Sequence, residues 1–244
     1  MSLILLKFDG PIVTLTLNRP DKRNALNLAL WGELDEHLHS IEAAGDTVAV
    51  VILRSAGEVF CAGNDLKERG AKAPSRNYQA KIIMRLANLP QAVIVAVQGG
   101  CFTGGLELAL AGDIIIAAES TTFADTHGKF ALVPAWGMSQ RLPRRVGQWK
   151  AREMSLTGLP VTGPEAARIG LANHCVPDDQ LDSKCRELAE AIAGQSRHSV
   201  FAYKKLYTEQ TDLPLAAGLA HEVFASAGAG PDFAELAAGK FGKT

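Results

Sequence analysis

Gly99-Gly100-Cys101-Phe102-Thr103-Gly104-Gly105-Leu106-Glu107-Leu108 is the stretch whose reading decides this chain. It follows an apolar, β-rich run, Gln91–Val97, and continues into Ala109-Leu-Ala-Gly112. The local order is therefore strand, glycine turn, short helix over Thr103–Gly112. Thr103 stands where an N-cap is expected. Gly104 carries no side chain to shield its own backbone N–H. A helix N-terminus offers unpaired N–H groups and a partial positive charge, a natural seat for an oxyanion. Glu107 lies three residues on, about 4.5 Å further along the axis and on nearly the same face. Its neighbours are apolar, which raises a carboxyl pKa and suits a proton carrier. The competing reading is an ordinary helix acid near the N-terminal dipole, solvated or paired.

A second segment repeats the pattern of small residues: Phe60-Cys-Ala-Gly-Asn-Asp-Leu66. Alone it is only a turn signal, but its Asn64 N–H can supply a second donor. Two convergent N–H groups stabilise an acyl oxygen as it gains charge, and the acid beside them can move protons or activate water.

Around these loops the chain alternates strands and helices. Leu3–Phe8 and Ile12–Leu17 form a hairpin through Asp9-Gly10-Pro11. Asn27 is placed to cap a helix to about Ala44, with Leu28, Leu30, Trp31, Leu34, Leu38 and Ile41 on one face. Thr47–Arg54, Gln91–Val97 and Asp113–Ala118 are near-continuous apolar runs, as strands buried on both faces are. Tyr78–Leu89 is helical and stops at Pro90. The class is α/β, with parallel strands in the core. Beyond about Val146 the sequence is mostly helical: Lys150–Thr157, Pro164–Ile169, Asp178–Gly194, Ser199–Glu209, Leu213–Ala227 and Pro231–Ala238. Residues 1–194 form the core. Residues 195–244 have too few apolar positions for a core of their own, so they pack on the body or on a neighbouring subunit.

The 244 residues are 47% hydrophobic and 21% charged, with net charge −1, the balance of an ordinary globular chain. That balance does not favour nucleic acid or a membrane surface as the main partner. No uncharged apolar run reaches membrane-spanning length. The N-terminus lacks a basic, cleavable leader, so a cytoplasmic location is expected. Cys61, Cys101, Cys175 and Cys185 sit apart in the sequence without metal-ligand spacing and are expected to be small buried hydrophobes. No metal site is expected, and no dinucleotide fingerprint is present.

The segments Asn18-Arg-Pro-Asp-Lys-Arg-Asn-Ala-Leu26, Phe60–Leu66, Gly104-Gly-Leu-Glu-Leu-Ala-Leu-Ala-Gly-Asp-Ile-Ile-Ile-Ala117 and Val133-Pro-Ala-Trp-Gly-Met-Ser-Gln-Arg-Leu142 resemble the crotonase (enoyl-CoA hydratase/isomerase) superfamily. Leu156-Thr-Gly158 with Glu165-Ala-Ala-Arg-Ile-Gly-Leu171 extends the resemblance over nearly the whole chain. The resemblance implies a spiral of repeated ββα turns and a C-terminal helical region for trimerisation, giving a homotrimer or dimer of trimers. It implies acyl-CoA thioester substrates, with coenzyme A belonging to the substrate and no separate cofactor. It also implies oxyanion-hole N–H groups at Asn64 and Gly104. The CoA portion would run along Arg23, Asn24 and Ala25 and along Asn64, Asp65, Leu66 and Lys67, with Ala62, Gly104 and Trp136 completing the substrate contacts.

Hydratases of this superfamily use two glutamates. Glu107 matches the first. The second falls in Phe123-Ala-Asp-Thr-His127, where His127 stands in its place and Asp125 lies two residues before it. A histidine gives and takes a proton near neutral pH, so a hydratase remains the leading expectation, with Glu107 activating water, His127 positioning it or protonating the α-carbon, and Asp125 orienting the imidazole. The alternatives are an enoyl-CoA isomerase, other enolate chemistry such as racemisation, and a non-catalytic acyl-CoA-binding homologue. Trp136 and Met138 replace small residues of the pattern, and with residues 73–90 they are expected to shape the acyl pocket. The remaining histidines are expected to be structural or solvated. Arg141, Arg144 and Arg145 are expected at solvent or subunit contacts, and Asp113 is expected to satisfy backbone donors.

Overall fold

A computed structural model describes residues 2–68 and 72–241. The hairpin forms as the pattern requires: β1 (Ile4–Asp9) pairs antiparallel with β2 (Ile12–Leu17). Helix α1 (Leu28–Ala44) starts at Asn27, whose side chain accepts from the Leu30 N–H. It buries Leu30, Trp31, Leu34, Leu38 and Ile41, the predicted stripe without Leu28. Next come β3 (Val50–Ser55), α2 (Tyr78–Ala87) and β4 (Ala92–Val97). After them come β5 (Gly100–Phe102), α3 (Gly104–Ala109), β6 (Ile114–Ala118) and β7 (Thr122–Ala124).

Among the described residues, six strands make the main sheet in the order β1-β2-β3-β4-β6-β9, where β9 is His174–Val176. From β2 onward every pairing is parallel. Odd-numbered positions such as Val13, Leu15, Val51, Leu53, Val93 and Val95 face the core beneath α1 and α2. Even-numbered positions such as Ile12, Val50, Ile52, Ile94 and Ala96 face a second cluster under α7 (Leu181–Ala193). Burial on both faces explains the unbroken apolar runs.

A smaller sheet, β5-β7-β8 with β8 at Val161–Thr162, runs beside the first. Parallel bridges Leu26↔Asn64 and Cys61↔Cys101 extend the same stacking. Successive turns of the chain thus lay down residues 26, 61–64, 100–102 and 122–124 side by side, a spiral of the kind the resemblance implies. The short strands β5, β7, β8 and β9 escaped the sequence reading because two or three residues carry no periodicity. Helix α4 (Met138–Val146) escaped it because Pro143 lies inside. Helices α5 (Gln148–Thr157) and α6 (Gly163–Arg168) fall where expected.

The C-terminal part holds α8 (Arg197–Gln210), α9 (Leu215–Ala225) and α10 (Phe233–Phe241). Lys204 ties α8 to the body, donating to Gln91 O at 2.8 Å and to Asp113 Oδ2 at 2.7 Å. Asp113 also accepts from the Val93 N–H, the backbone role expected of it. Arg144 is exposed, as expected, and pairs with Asp212, but Arg141 and Arg145 depart from expectation. Arg145 donates to Gly112 O and Asp113 O, and Arg141 to Trp136 O, so both serve the body of this chain. Among the described residues no helix is long and apolar enough to cross a membrane, and no cluster of His, Cys, Asp or Glu is suited to a metal ion.

Candidate active site

The spiral brings the two glycine-containing loops together. Leu26 N–H donates to Gly63 O, Asp65 N–H to Leu26 O, and Ala62 N–H to Arg23 O. Segment 23–26 is thereby stitched to segment 62–65. Asn24 completes the seam, donating to Ala56 O and Val59 O. Gly63 holds φ +100, where a side chain is strained, and a Cβ there would also lie 3.0 Å from Phe102 O. This presents Asn64 to the start of α3.

The Asn64 and Gly104 N–H groups find no acceptor among the described residues. They are neighbours: a Cβ built on Gly104 would sit 3.3 Å from Asn64 N. The same Cβ would lie 2.5 Å from Cζ3 of Trp136, so position 104 admits only glycine as the structure stands. Thr103 does not cap α3. It sits at φ +50, and its hydroxyl bonds that of Thr126, leaving the helix end open.

Glu107 is 1% exposed. One carboxylate oxygen, Oε1, accepts from Trp136 N–H at 2.8 Å and Met138 N–H at 3.1 Å. The other, Oε2, lies 3.7 Å from His127 Nε2. The far nitrogen of that imidazole, Nδ1, is 2.7 Å from Asp125 Oδ1. Asp125, His127 and Glu107 therefore form one buried line of acid, imidazole and acid.

Burial pushes the Glu107 carboxyl above its ordinary range, against the opposing pull of the Met138 and Trp136 N–H groups and of His127. Burial works against the His127 imidazolium, but the Asp125 hydrogen bond and the two carboxylate charges outweigh it and raise the pKa. Burial alone would raise Asp125 too. Hydrogen bonds from His127 and Ser155 hold it below its usual value instead. These directions favour the charged forms of Asp125 and His127 and the protonated form of Glu107.

These groups open on a cavity of about 220 Å³. Ala62, Asn64, Leu66, Gly104, Glu107, His127 and Trp136, all named in the sequence analysis, are among the residues that line it. Five residues expected at the substrate are absent from this lining: Arg23, Asn24, Ala25, Asp65 and Lys67. Arg23 and Lys67 are exposed beyond it. Asp65 is turned to Arg19 at 2.7 Å, with its second oxygen on the Lys67 N–H, so its carboxylate braces the loop. Neither Met138 nor residues 73–90 line the cavity. Sequence reasoning missed Thr126, Phe130, Leu132, Val133 and Ala135 in the wall, and the two backbone donors that hold Glu107. A backbone donor leaves no signature in residue type.

The enoyl-CoA hydratase/isomerase family pattern matches residues 7–229. The chain is 35% identical over 218 residues to a protein of Arabidopsis thaliana named probable enoyl-CoA hydratase 1, peroxisomal, covering 88% of this chain and 82% of that one. It is 35% identical over 204 residues to the 1,2-epoxyphenylacetyl-CoA isomerase of Escherichia coli, strain K12, covering 80% and 78%. The crystal structure of the enoyl-CoA hydratase from Bacillus anthracis matches with a TM-score of 0.91 at 36% identity, over 100% of this chain and 98% of that one. Sequence pattern, spiral architecture and site geometry thus agree, and the chain belongs to the crotonase superfamily, in its enoyl-CoA hydratase/isomerase family.

Proposed function

We propose that this protein is an enoyl-CoA hydratase in which an imidazolium does the work of the second carboxylic acid. The single observation that carries the reading is the pairing of Glu107 Oε2 with His127 Nε2 at 3.7 Å, on the wall of a cavity that also receives two acceptor-free N–H groups. The Asn64 and Gly104 N–H groups bind the thioester oxygen. Glu107 takes a proton from water as its oxygen bonds to the β-carbon. The electron pair of the double bond moves to the thioester oxygen, where the two donors hold the enolate. The enolate collapses as the α-carbon takes the proton of His127. Proton transfer from Glu107 to His127 then restores the starting pair. Asp125 fixes the ring so that Nε2 faces the cavity.

The CoA portion is assigned to the seam of residues 23–25 and 64–67, where exposed Arg23 and Lys67 suit a nucleotide's phosphates. Residues 195–244 are assigned to packing on the core 1–194 and to a homotrimer or dimer of trimers. Leu215 and Phe224 of α9, 80% and 88% exposed, support that assignment.

Loss of the conjugated enoyl thioester absorbance tests the reading, run with wild type and Glu107→Gln. Hydration that disappears in the variant supports it. Binding of acyl-CoA with no turnover would leave a non-catalytic homologue. Movement of the double bond without water addition would leave an isomerase, the reaction class in the name of the Escherichia coli relative.

A further inference from the structure

Thr103 stands at φ +50 and ψ −109, a backbone region that a β-branched residue rarely enters and glycine adopts freely. Strain of this kind persists only where the surroundings over-determine it. Hydrogen bonds on three sides do so here. The Thr103 N–H donates to Ala124 O at 2.9 Å, and its carbonyl accepts from the Glu107 N–H at 2.9 Å. Its hydroxyl bonds that of Thr126 and accepts from the Thr126 N–H at 3.2 Å. The two backbone bonds are open to any residue but proline. The two hydroxyl contacts need the side chain, and a glycine would forfeit them.

These contacts join the segments that carry the chemistry. Gly104, one of the two acceptor-free donors, is the next residue. Glu107 hangs on the Thr103 carbonyl. Thr126 lies between Asp125 and His127. A Cβ built on Gly63 would lie 3.5 Å from the Thr103 Cβ, so this side chain also stands beside the turn that presents Asn64. Both threonines line the cavity. Strand pairing between the two segments ends at Phe102↔Ala124. Past that point the threonine hydroxyls continue the join, directly before His127. The 3.7 Å gap from Glu107 Oε2 to His127 Nε2 spans the segments they tie.

We infer that Thr103 is a positioning residue, bonded through its hydroxyl to Thr126 so that the loop of Asp125 and His127 is fixed against the turn carrying Gly104 and Glu107. The inference rests on the hydratase reading and deepens it.

The test is steady-state hydration of a 2-enoyl-CoA by wild type, Thr103→Gly, Thr103→Ser, Thr126→Val and the Thr103→Gly/Thr126→Val double variant, with circular dichroism confirming each fold. A misplacement of about 1 Å can cost about 10²-fold in rate, so Thr103→Gly is expected to lower kcat at least about tenfold while KM stays within about threefold. Thr103→Ser keeps the hydroxyl and is expected to restore kcat to at least about a third of wild type. Thr126→Val breaks the same bond from its other side. It is expected to lower kcat at least about fivefold alone, and by less than about twofold when added to Thr103→Gly. A Thr103→Gly protein with wild-type kcat overturns the inference, and so does a Thr103→Ser protein as slow as Thr103→Gly. Independent, multiplying losses from positions 103 and 126 overturn it as well. If Thr103→Gly does not fold, Thr126→Val and Thr103→Ser decide: wild-type kcat in the first, or a tenfold loss in the second, overturns it. A wild type that hydrates no enoyl-CoA removes the hydratase reading and this inference together, whereas the other contrary results remove the inference alone.

Discussion

Replacing Gly104 by alanine tests the oxyanion seat most sharply, because one methyl group meets two parts of the site at once. The new Cβ would lie 2.5 Å from Cζ3 and 3.1 Å from Cε3 of Trp136, and 3.3 Å from Asn64 N. The indole cannot swing aside without breaking its contact with Trp31 or the Glu107 and Arg141 bonds to its backbone. Overpacking of this kind costs about 1–3 kcal/mol of stability. The larger effect falls on the chemistry, because the methyl occupies space in front of the second donor. Loss of one donor from an oxyanion hole lowers kcat by about 10²–10³, equivalent to about 2.7–4 kcal/mol of transition-state stabilisation. Steady-state hydration of a 2-enoyl-CoA, with urea unfolding alongside, measures both. Asn64→Ala is the control: it keeps the backbone N–H and is expected to hold kcat within about threefold. A Gly104→Ala protein with wild-type kcat, or an Asn64→Ala protein as impaired as Gly104→Ala, would refute the assignment of these N–H groups.

Productive chemistry needs Glu107 ionised and His127 protonated, and both pKa values are raised, above the ordinary 4.5 and 6.5. The kcat/KM profile should therefore fall on the acid side at a pH above 4.5 and on the alkaline side above 6.5, and His127→Gln should erase the alkaline limb; a limb that survives in that variant would count against His127 as the acid. Asp125→Asn removes the main upward influence on His127, so the alkaline limb should move to lower pH. The same variant should lose two pH-dependent contributions to stability. Asp125, held low, stabilises above pH 3.8 and loses this as pH falls through its lowered folded value; His127, held high, stabilises below pH 6.5 and loses this as pH rises through its raised folded value. Urea midpoints against pH check the sign, and an unchanged profile would break the link. Cys61 and Cys185 are buried with thiols pushed up to about 12, so a thiol reagent should leave both untouched in the native protein and label them on unfolding; rapid native labelling of either would contradict the packing.

The main sheet was legible because burial on both faces writes itself into sequence as Val50–Leu53, Ala92–Val97 and Ile114–Ala118. Asn27 and Gly104 were legible for a similar reason: a cap and a close approach each demand a residue type. The short strands of the second sheet were not, since their placement depends on stacking by the spiral and not on any local pattern. Cys61 and Cys101 are forty positions apart, yet they pair across one bridge of that stack. Asp65 was drawn toward the substrate by family resemblance, whereas its carboxylate anchors Arg19. The grip on Glu107 was invisible because Trp136 and Met138 act through backbone N–H groups that every residue but proline possesses. His127 was conspicuous, but only folding shows that its two nitrogens face Asp125 and Glu107 separately.

The central claim is that water is added across an enoyl thioester by the Glu107–His127 pair. Mass spectrometry of products formed from a panel of enoyl-CoAs in oxygen-18 water, by wild type and His127→Ala, tests it most directly. The account predicts one oxygen-18 atom in the wild-type product and a sharp fall in its yield from the variant. A wild-type product without the heavy oxygen, or a variant that labels as fast as wild type, would contradict it.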